Sequence, residues 1–227
     1  MTDHAATEHA AILRGLYDET LVGNRPRVLE LTHEGLAAGL TPETMLFDAL
    51  IPSLEEVGAR FERGDFFVPE MLVAGKAMSG ALDVLRPLLA ETGARTVGTF
   101  LMSTVKGDVH DIGKNLVNIM LEGAGFHVID LGVQVSPEKV VAGIREHNPD
   151  IVGFSAFLTT TMPMFKANIN ALQKAGLRDQ VIVMVGGAPV TQEYADAVGA
   201  DGYAADAATA VRRAKELLAA RRATVGV

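Results

Sequence analysis

The chain contains no cysteine and no tryptophan. Without cysteine, disulfides, thiolate nucleophiles, iron–sulfur clusters and Cys-based zinc sites are all excluded, and any protein–metal bond must use His or a carboxylate. Only 5% of the 227 residues are aromatic, and positive charge is the minority, with 20 Lys and Arg against 28 Asp and Glu for a net charge of -8. That balance disfavours non-specific nucleic-acid binding, which draws its affinity from Lys and Arg against phosphates. No apolar run approaches the roughly 20 residues of a membrane span. The polar start, Met1-Thr2-Asp3-His4, is unlike a secretory signal. A cytoplasmic protein with neither a membrane nor a nucleic-acid partner is the expectation.

What is present is a 48% hydrophobic chain, enough for one sizeable core or two small ones, and a change of period selects two. Residues 5–22 carry Ile12, Leu13, Leu16 and Leu21 at helical spacing, 26–38 repeat the pattern, and Thr41-Pro42 is a helix start running to about Arg63. Pro69-Glu70 opens a fourth helix through Met71, Leu72, Met78, Leu82 and Leu85. Residues 1–92 read as a four-helix bundle. From 93 to 227, five Val- and Ile-rich runs (96–102, 126–131, 150–155, 180–185, 201–204) alternate strictly with helical patterns. This is an α/β pattern: a doubly wound, Rossmann-like parallel sheet, for which five strands favour the flavodoxin-like order 2-1-3-4-5. The boundary falls near Thr92-Gly93-Ala94.

In that order a ligand lies beyond the carboxyl ends of the first and third strands, and the unusual residues cluster there. After the first strand comes Gly107-Asp108-Val109-His110-Asp111-Ile112-Gly113; after the third, Ser155 to Thr161; after the fourth, Gly186-Gly187. The first loop is neither a dinucleotide fingerprint nor a P-loop. It has five residues between its glycines, Asn115 where a P-loop needs a hydroxyl, and two acids that repel phosphate. His110 is either a structural histidine or a metal ligand. An Asp two residues earlier can take one imidazole N–H and leave the other nitrogen free, as around metal-bound histidines. A single His suits a metal already held in a macrocycle that lacks one axial donor. Ser155 and the Thr159-Thr160-Thr161 run read equally as an N-cap, Gly186-Gly187 as a tight turn, and Phe61 and Val68 as bundle core. Phe66 and Phe67 read as packing.

Asp108-x-His110-x-x-Gly113, with Ser155 and Thr159 four residues later and then Gly186-Gly187, resembles the cobalamin-binding signature of methionine synthase and of the corrinoid proteins of methyltransferase systems. Val57-Gly58-x-x-Phe61-x-x-Gly64-x-x-Phe67-Val68-Pro69-Glu70-Met71-Leu72 resembles the helical cap that precedes this module in the family, so the likeness covers most of residues 40 to 220. The resemblance implies cobalamin bound with its dimethylbenzimidazole off the cobalt, and His110 on it as the metal ligand. Asp108 and Thr161 continue a proton relay. Gly107, Val109, Asp111, Ile112 and Gly113 surround the ligand. Ser155, Thr159, Gly186, Gly187 and the backbone at Ala207 line the slot for the nucleotide tail, Phe157 is a further cofactor-binding residue, and Phe61 and Val68 cover the upper face of the corrin. Val68 stands where Leu is commoner, and Phe47 where methionine synthase often has Glu.

The implied function is that of a methyl carrier cycling between methylcobalamin and cob(I)alamin. It would be methylated by a substrate-specific methyltransferase, demethylated by an acceptor methyltransferase and served by a reductive activase, with no complete active site of its own. Both partners need the upper face, so the bundle is expected to swing away about Thr92-Gly93. Methanol, methylamines, glycine betaine and aryl methyl ethers are donors served by such carriers. The alternatives are a cobalamin-dependent regulator, the cobalamin subunit of a radical mutase, and a flavodoxin-like binding module with no cobalt chemistry.

Overall fold

A computed structural model of the chain describes residues 2–92 and 96–225. The chain divides into two compact units, the first reaching to Thr96 and taking in Glu122–Gly125, the second holding the rest from Val97. Gly93 and Ala94, where the sequence reading places the boundary, lie outside the described residues.

The first unit is helical: α1 (Thr2–Leu21), α2 (Arg25–Ala37), α3 (Pro42–Met45), α4 (Ile51–Glu62) and α5 (Val68–Thr92). Asn24 caps α2, and Thr41 caps α3 by accepting the Thr44 N–H at 3.1 Å, with Pro42 at the first helical position. The expected third helix runs on into α4 but changes register through a π-helical stretch, Leu46–Leu50. Pro52 has no N–H for the Asp48 carbonyl, and Ile51 N–H instead reaches back to Leu46 O. Leu16, Val28, Met45, Leu50, Leu54, Val57, Met71, Met78 and Leu85 form the buried interior. One expectation fails here. Phe66 packs against the Arg60 guanidinium, 5.1 Å from its ring centre, but Phe67 is 65% exposed, because its backbone N–H is held at the start of α5 by the Glu70 carboxylate at 2.9 Å.

The second unit alternates β1 (Thr99–Thr104), α6 (Ile112–Gly123), β2 (His127–Asp130), α7 (Pro137–His147), β3 (Ile151–Ser155), α8 (Pro163–Lys174), β4 (Ile182–Gly186), α9 (Gln192–Val198), β5 (Gly202–Ala204) and α10 (Ala207–Val225). All pairings are parallel and the order is β2-β1-β3-β4-β5, as expected. Successive side chains alternate between faces. Leu101, Val105, Val152, Phe154, Val183 and Val185 point to the core face and pack with Val140 and Ile144 of α7 and Phe165, Ile169 and Leu172 of α8. On the other face the register sets Thr104, Ser155, Gly186 and Ala204 in one row at the carboxyl edge, with Met102, Gly153, Met184 and Gly202 below it. β1 ends two residues later than its apolar run suggests, since Ser103 and Thr104 are fully buried and the ladder hides their polarity from solvent.

Candidate functional site

Asp108 is the centre of the carboxyl edge. The turn after β1 uses Gly107 at φ +84, a left-handed conformation that glycine adopts without steric cost, and it drops Asp108 beneath the loop with its side chain 0% exposed. Oδ1 accepts the His110 N–H at 3.0 Å and meets His110 Nδ1 at 2.6 Å. Oδ2 accepts the Phe157 and Leu158 N–H groups at 2.8 and 3.3 Å and the Thr161 hydroxyl at 2.8 Å. Thus a single carboxylate ties the loop after β1 to the loop after β3. Burial pushes the Asp108 carboxyl up, but the bonds from the His110 backbone and ring, the Phe157 N–H and the Thr161 hydroxyl outweigh it and hold the group well below the usual carboxylate range.

An ionised Asp108 can only accept, so Nδ1 of His110 carries a proton, and in the neutral imidazole the lone pair is then on Nε2. Among the described residues no partner lies within hydrogen-bonding distance of Nε2. The ring is 44% exposed and stacks on Phe157, with centroids 4.5 Å apart and planes at 28°. Among the described residues no group of three or more His, Asp or Glu could hold a metal ion.

Other expected residues converge on this edge. Val109 and Ile112 are exposed, and Asp111 O accepts the Asn115 N–H at 2.7 Å, beginning α6. Gly113 has nothing within 4 Å of the place a Cβ would occupy. Ser155 is half-buried, its carbonyl taking the Val105 N–H at 3.0 Å, and Thr159 is exposed. Gly186 ends β4 and Gly187 follows it; a Cβ would lie 2.9 Å from Ala204 O at the first and 1.9 Å from Ala156 O at the second. Ala207 is buried at the start of α10. The N-cap reading of the threonines fails: α8 starts only at Pro163, Met162 precedes it with no side-chain cap, and Thr161 Oγ1 lies 2.8 Å from both Asp108 Oδ2 and Leu158 O. In the helical unit, Phe61 is half-buried in α4 and Val68 is exposed at the head of α5.

The structure adds residues that the sequence reading did not single out. Thr104 Oγ1 donates to His110 O at 3.1 Å, and Gln134, at φ +52, donates its N–H to Asp108 O at 3.0 Å. Leu158 holds Asp108 through its backbone N–H, which has no side-chain signature. The signal for Gln134 was Gly132, a turn glycine in the loop after β2 at this same edge.

The edge also fits a large, partly apolar ligand. Among the described residues of the second unit, the exposed large hydrophobic side chains are Val109, Ile112, Val133, Phe157 and Leu158, and every one lies in the loops, or in the case of Ile112 at the helix start, of the carboxyl edge that carries His110. Such concentrated exposure marks a binding surface. A corrin macrocycle needing one axial nitrogen matches both this rim and the lone donor within it.

Two family models, each described as a B12 binding domain, match residues 98–212 and 12–86. A dimethylamine corrinoid protein of Methanosarcina barkeri is 42% identical over 209 residues, covering 92% of this chain and 98% of that protein. A trimethylamine corrinoid protein of the same organism is 41% identical over 191 residues, or 83% and 88% of the two. Among solved structures, the methanol:cobalamin methyltransferase complex MtaBC of Methanosarcina barkeri has a chain that aligns with TM-score 0.81 at 29% identity, covering 92% of this chain and 80% of that one. The chain therefore belongs to the B12-binding corrinoid proteins and binds cobalamin.

Proposed function

We propose that the chain is a corrinoid methyl carrier that holds cobalamin with the dimethylbenzimidazole off the cobalt and His110 Nε2 in its place. The observation that carries this reading is the Asp108–His110 pair: Nδ1 is fixed at 2.6 Å from a buried carboxylate, and the opposite nitrogen is left with a lone pair in an exposed apolar rim. Bound cobalamin supplies a cobalt centre to which a methyl group can be added and from which it can be removed. The residues then have separable tasks. Asp108 sets the tautomer and orientation of His110, and Phe157 supports the ring from one face. When Nε2 is free it can take a proton from water, and Asp108 then faces an imidazolium through a charge-assisted bond. Thr161 has one hydroxyl proton and two acceptors at equal distance, so it can follow a change of charge at Asp108 without a change of backbone. Phe61 and Val68 are assigned to the upper face of the corrin.

Because relatives over most of this chain are named for dimethylamine and trimethylamine, we assign the donor to the methylamines. A methylamine-specific methyltransferase would load the carrier, an acceptor methyltransferase would unload it, and a reductive activase would rescue oxidised cobalt. His110→Ala tests the central claim. The variant is expected to retain methylcobalamin through its buried tail but to shift its visible spectrum; an unchanged spectrum would sink the axial assignment. Transfer from mono-, di- and trimethylamine with candidate partner enzymes tests the donor class.

A further inference from the structure

Lys114 is a charged side chain only 2% exposed, and the functions assigned above give it no part. Its Nζ ion-pairs with Asp130 Oδ2 and donates to Asn115 Oδ1 at 2.7 Å. Asp130 is 34% exposed, and an ion pair with one partner desolvated is weak evidence for stability by itself, because the desolvation of Lys114 offsets much of the attraction. Its placement is more informative. Lys114 lies four residues after His110, in the first turn of α6, and Asp130 ends β2.

From Asp130 the contacts lead back to the site. Its Oδ1 accepts the Gly132 N–H at 2.8 Å, and its Oδ2 also takes Asn118 Nδ2 at 3.0 Å. Gly132 O accepts the Thr104 N–H at 3.0 Å. Two residues further on, Gln134 N–H donates to Asp108 O at 3.0 Å. Gln134 holds φ at +52, a conformation that residues other than glycine adopt only where the surroundings fix it. The connections therefore close a loop from His110 forward to Lys114, across to Asp130, along residues 131–134, and back to the residue that holds His110 Nδ1.

We propose that the Lys114–Asp130 pair is a positioning device that fixes the span from Asp108 to α6, so that His110 Nε2 is presented at one depth beneath the corrin. This rests on His110 being the lower donor to cobalt. Lys114 acts through the backbone of the loop, not by touching the metal. Without the pair the tail can still bind, but the imidazole meets cobalt over a range of geometries.

The test is electron paramagnetic resonance of the protein, labelled with 15N-histidine and loaded with cob(II)alamin, whose unpaired electron lies along the axial direction and is split into doublets by a ligating 15N imidazole but into triplets by the cofactor's own 14N base. The splitting that counts is the doublet. Lys114→Met alone leaves Asp130 as an unpaired charge. Lys114→Met/Asp130→Asn removes both charges while keeping an acceptor for the Gly132 N–H. The double variant is expected to fold and to bind cob(II)alamin, with the nitrogen splitting lost or broadened relative to the parent. In the cofactor-free protein, amide exchange at His110 and Asn115 is expected to quicken. Parental splitting in the double variant overturns the proposal and leaves His110 as ligand; absence of splitting in the parent overturns both readings. Should the double variant not fold, Asp130→Asn alone is read by the same two outcomes.

Discussion

The segment after β1, which runs into the first turn of α6, and the loop after β4 stand at the same edge of the sheet and both carry glycines, yet the space around those glycines differs. At Gly187 the backbone sits at φ +130, and a Cβ would fall 1.9 Å from Ala156 O. At Gly113 nothing lies within 4 Å of that position. The first glycine is demanded by the chain's own backbone, since β3 and β4 bring Ala156 and Gly187 too close for any side chain. At the second, no neighbour within 4 Å forbids a side chain, and the proposed corrin site would supply the reason for its absence. On that proposal the signature mixes residues required for folding with residues required for the ligand. The two kinds separate when stability and cobalamin affinity are measured independently.

The largest effect is expected at Gly187→Ala, where both the strained φ and the overlap with a backbone carbonyl oppose the substitution. A loss of about 3 kcal/mol or more is expected, seen as a fall of at least about 6 °C in melting temperature, with cobalamin affinity lost along with the fold. A variant that melts with the parent would erase the distinction drawn above.

Asp108→Asn comes next. Five donors converge on the carboxylate, and an amide would turn its NH₂ toward some of them, leaving buried donors unpaired at a cost of about 2–4 kcal/mol. The pH dependence has a definite sign. The folded-state carboxyl lies below its unfolded value, which is about 3.9, so its contribution is fully present above roughly pH 5 and is lost as pH falls through and below 4. Urea unfolding at pH 6 and pH 3 should show a smaller acid-induced loss in Asp108→Asn than in the parent. An equal loss in both would mean that the five contacts do not favour the ionised form.

Much of this was readable before any coordinates. The parallel sheet followed from runs such as Ile151–Phe154 and Ile182–Val185 set between helical patterns, because burial on both faces forces continuous apolarity. Asp108, His110 and Gly113 were legible because their spacing is local. What escaped was non-local or carried by backbone. Lys114 and Asp130 are sixteen residues apart and meet only once β2 pairs with β1. Phe157 and Leu158 bind Asp108 through N–H groups that every residue but proline owns. Thr161 read both as a helix cap and, by resemblance, as the hydroxyl beside Asp108, and it makes the second contact. Phe67 read as packing, whereas it stands exposed in the turn before α5.

The smallest change in stability is expected at Gly113→Ala, and it is the most discriminating of the set. Gly113 is the second residue of α6, its surroundings leave room for a methyl group, and alanine in place of a helical glycine stabilises by about 0.5–1 kcal/mol. Thermal or urea unfolding of the cofactor-free variant should therefore match or slightly exceed the parent. Cobalamin titration followed by absorbance should move the opposite way, with affinity falling by about tenfold, equivalent to about 1.4 kcal/mol, because the added methyl enters space that the bound macrocycle uses. Stability and affinity changing in opposite directions would mark Gly113 as a ligand residue. Unchanged affinity would mean that the cofactor leaves this space empty, and the loop after β1 would then hold cobalamin by His110 and the apolar rim without the close backbone approach that its second glycine suggests.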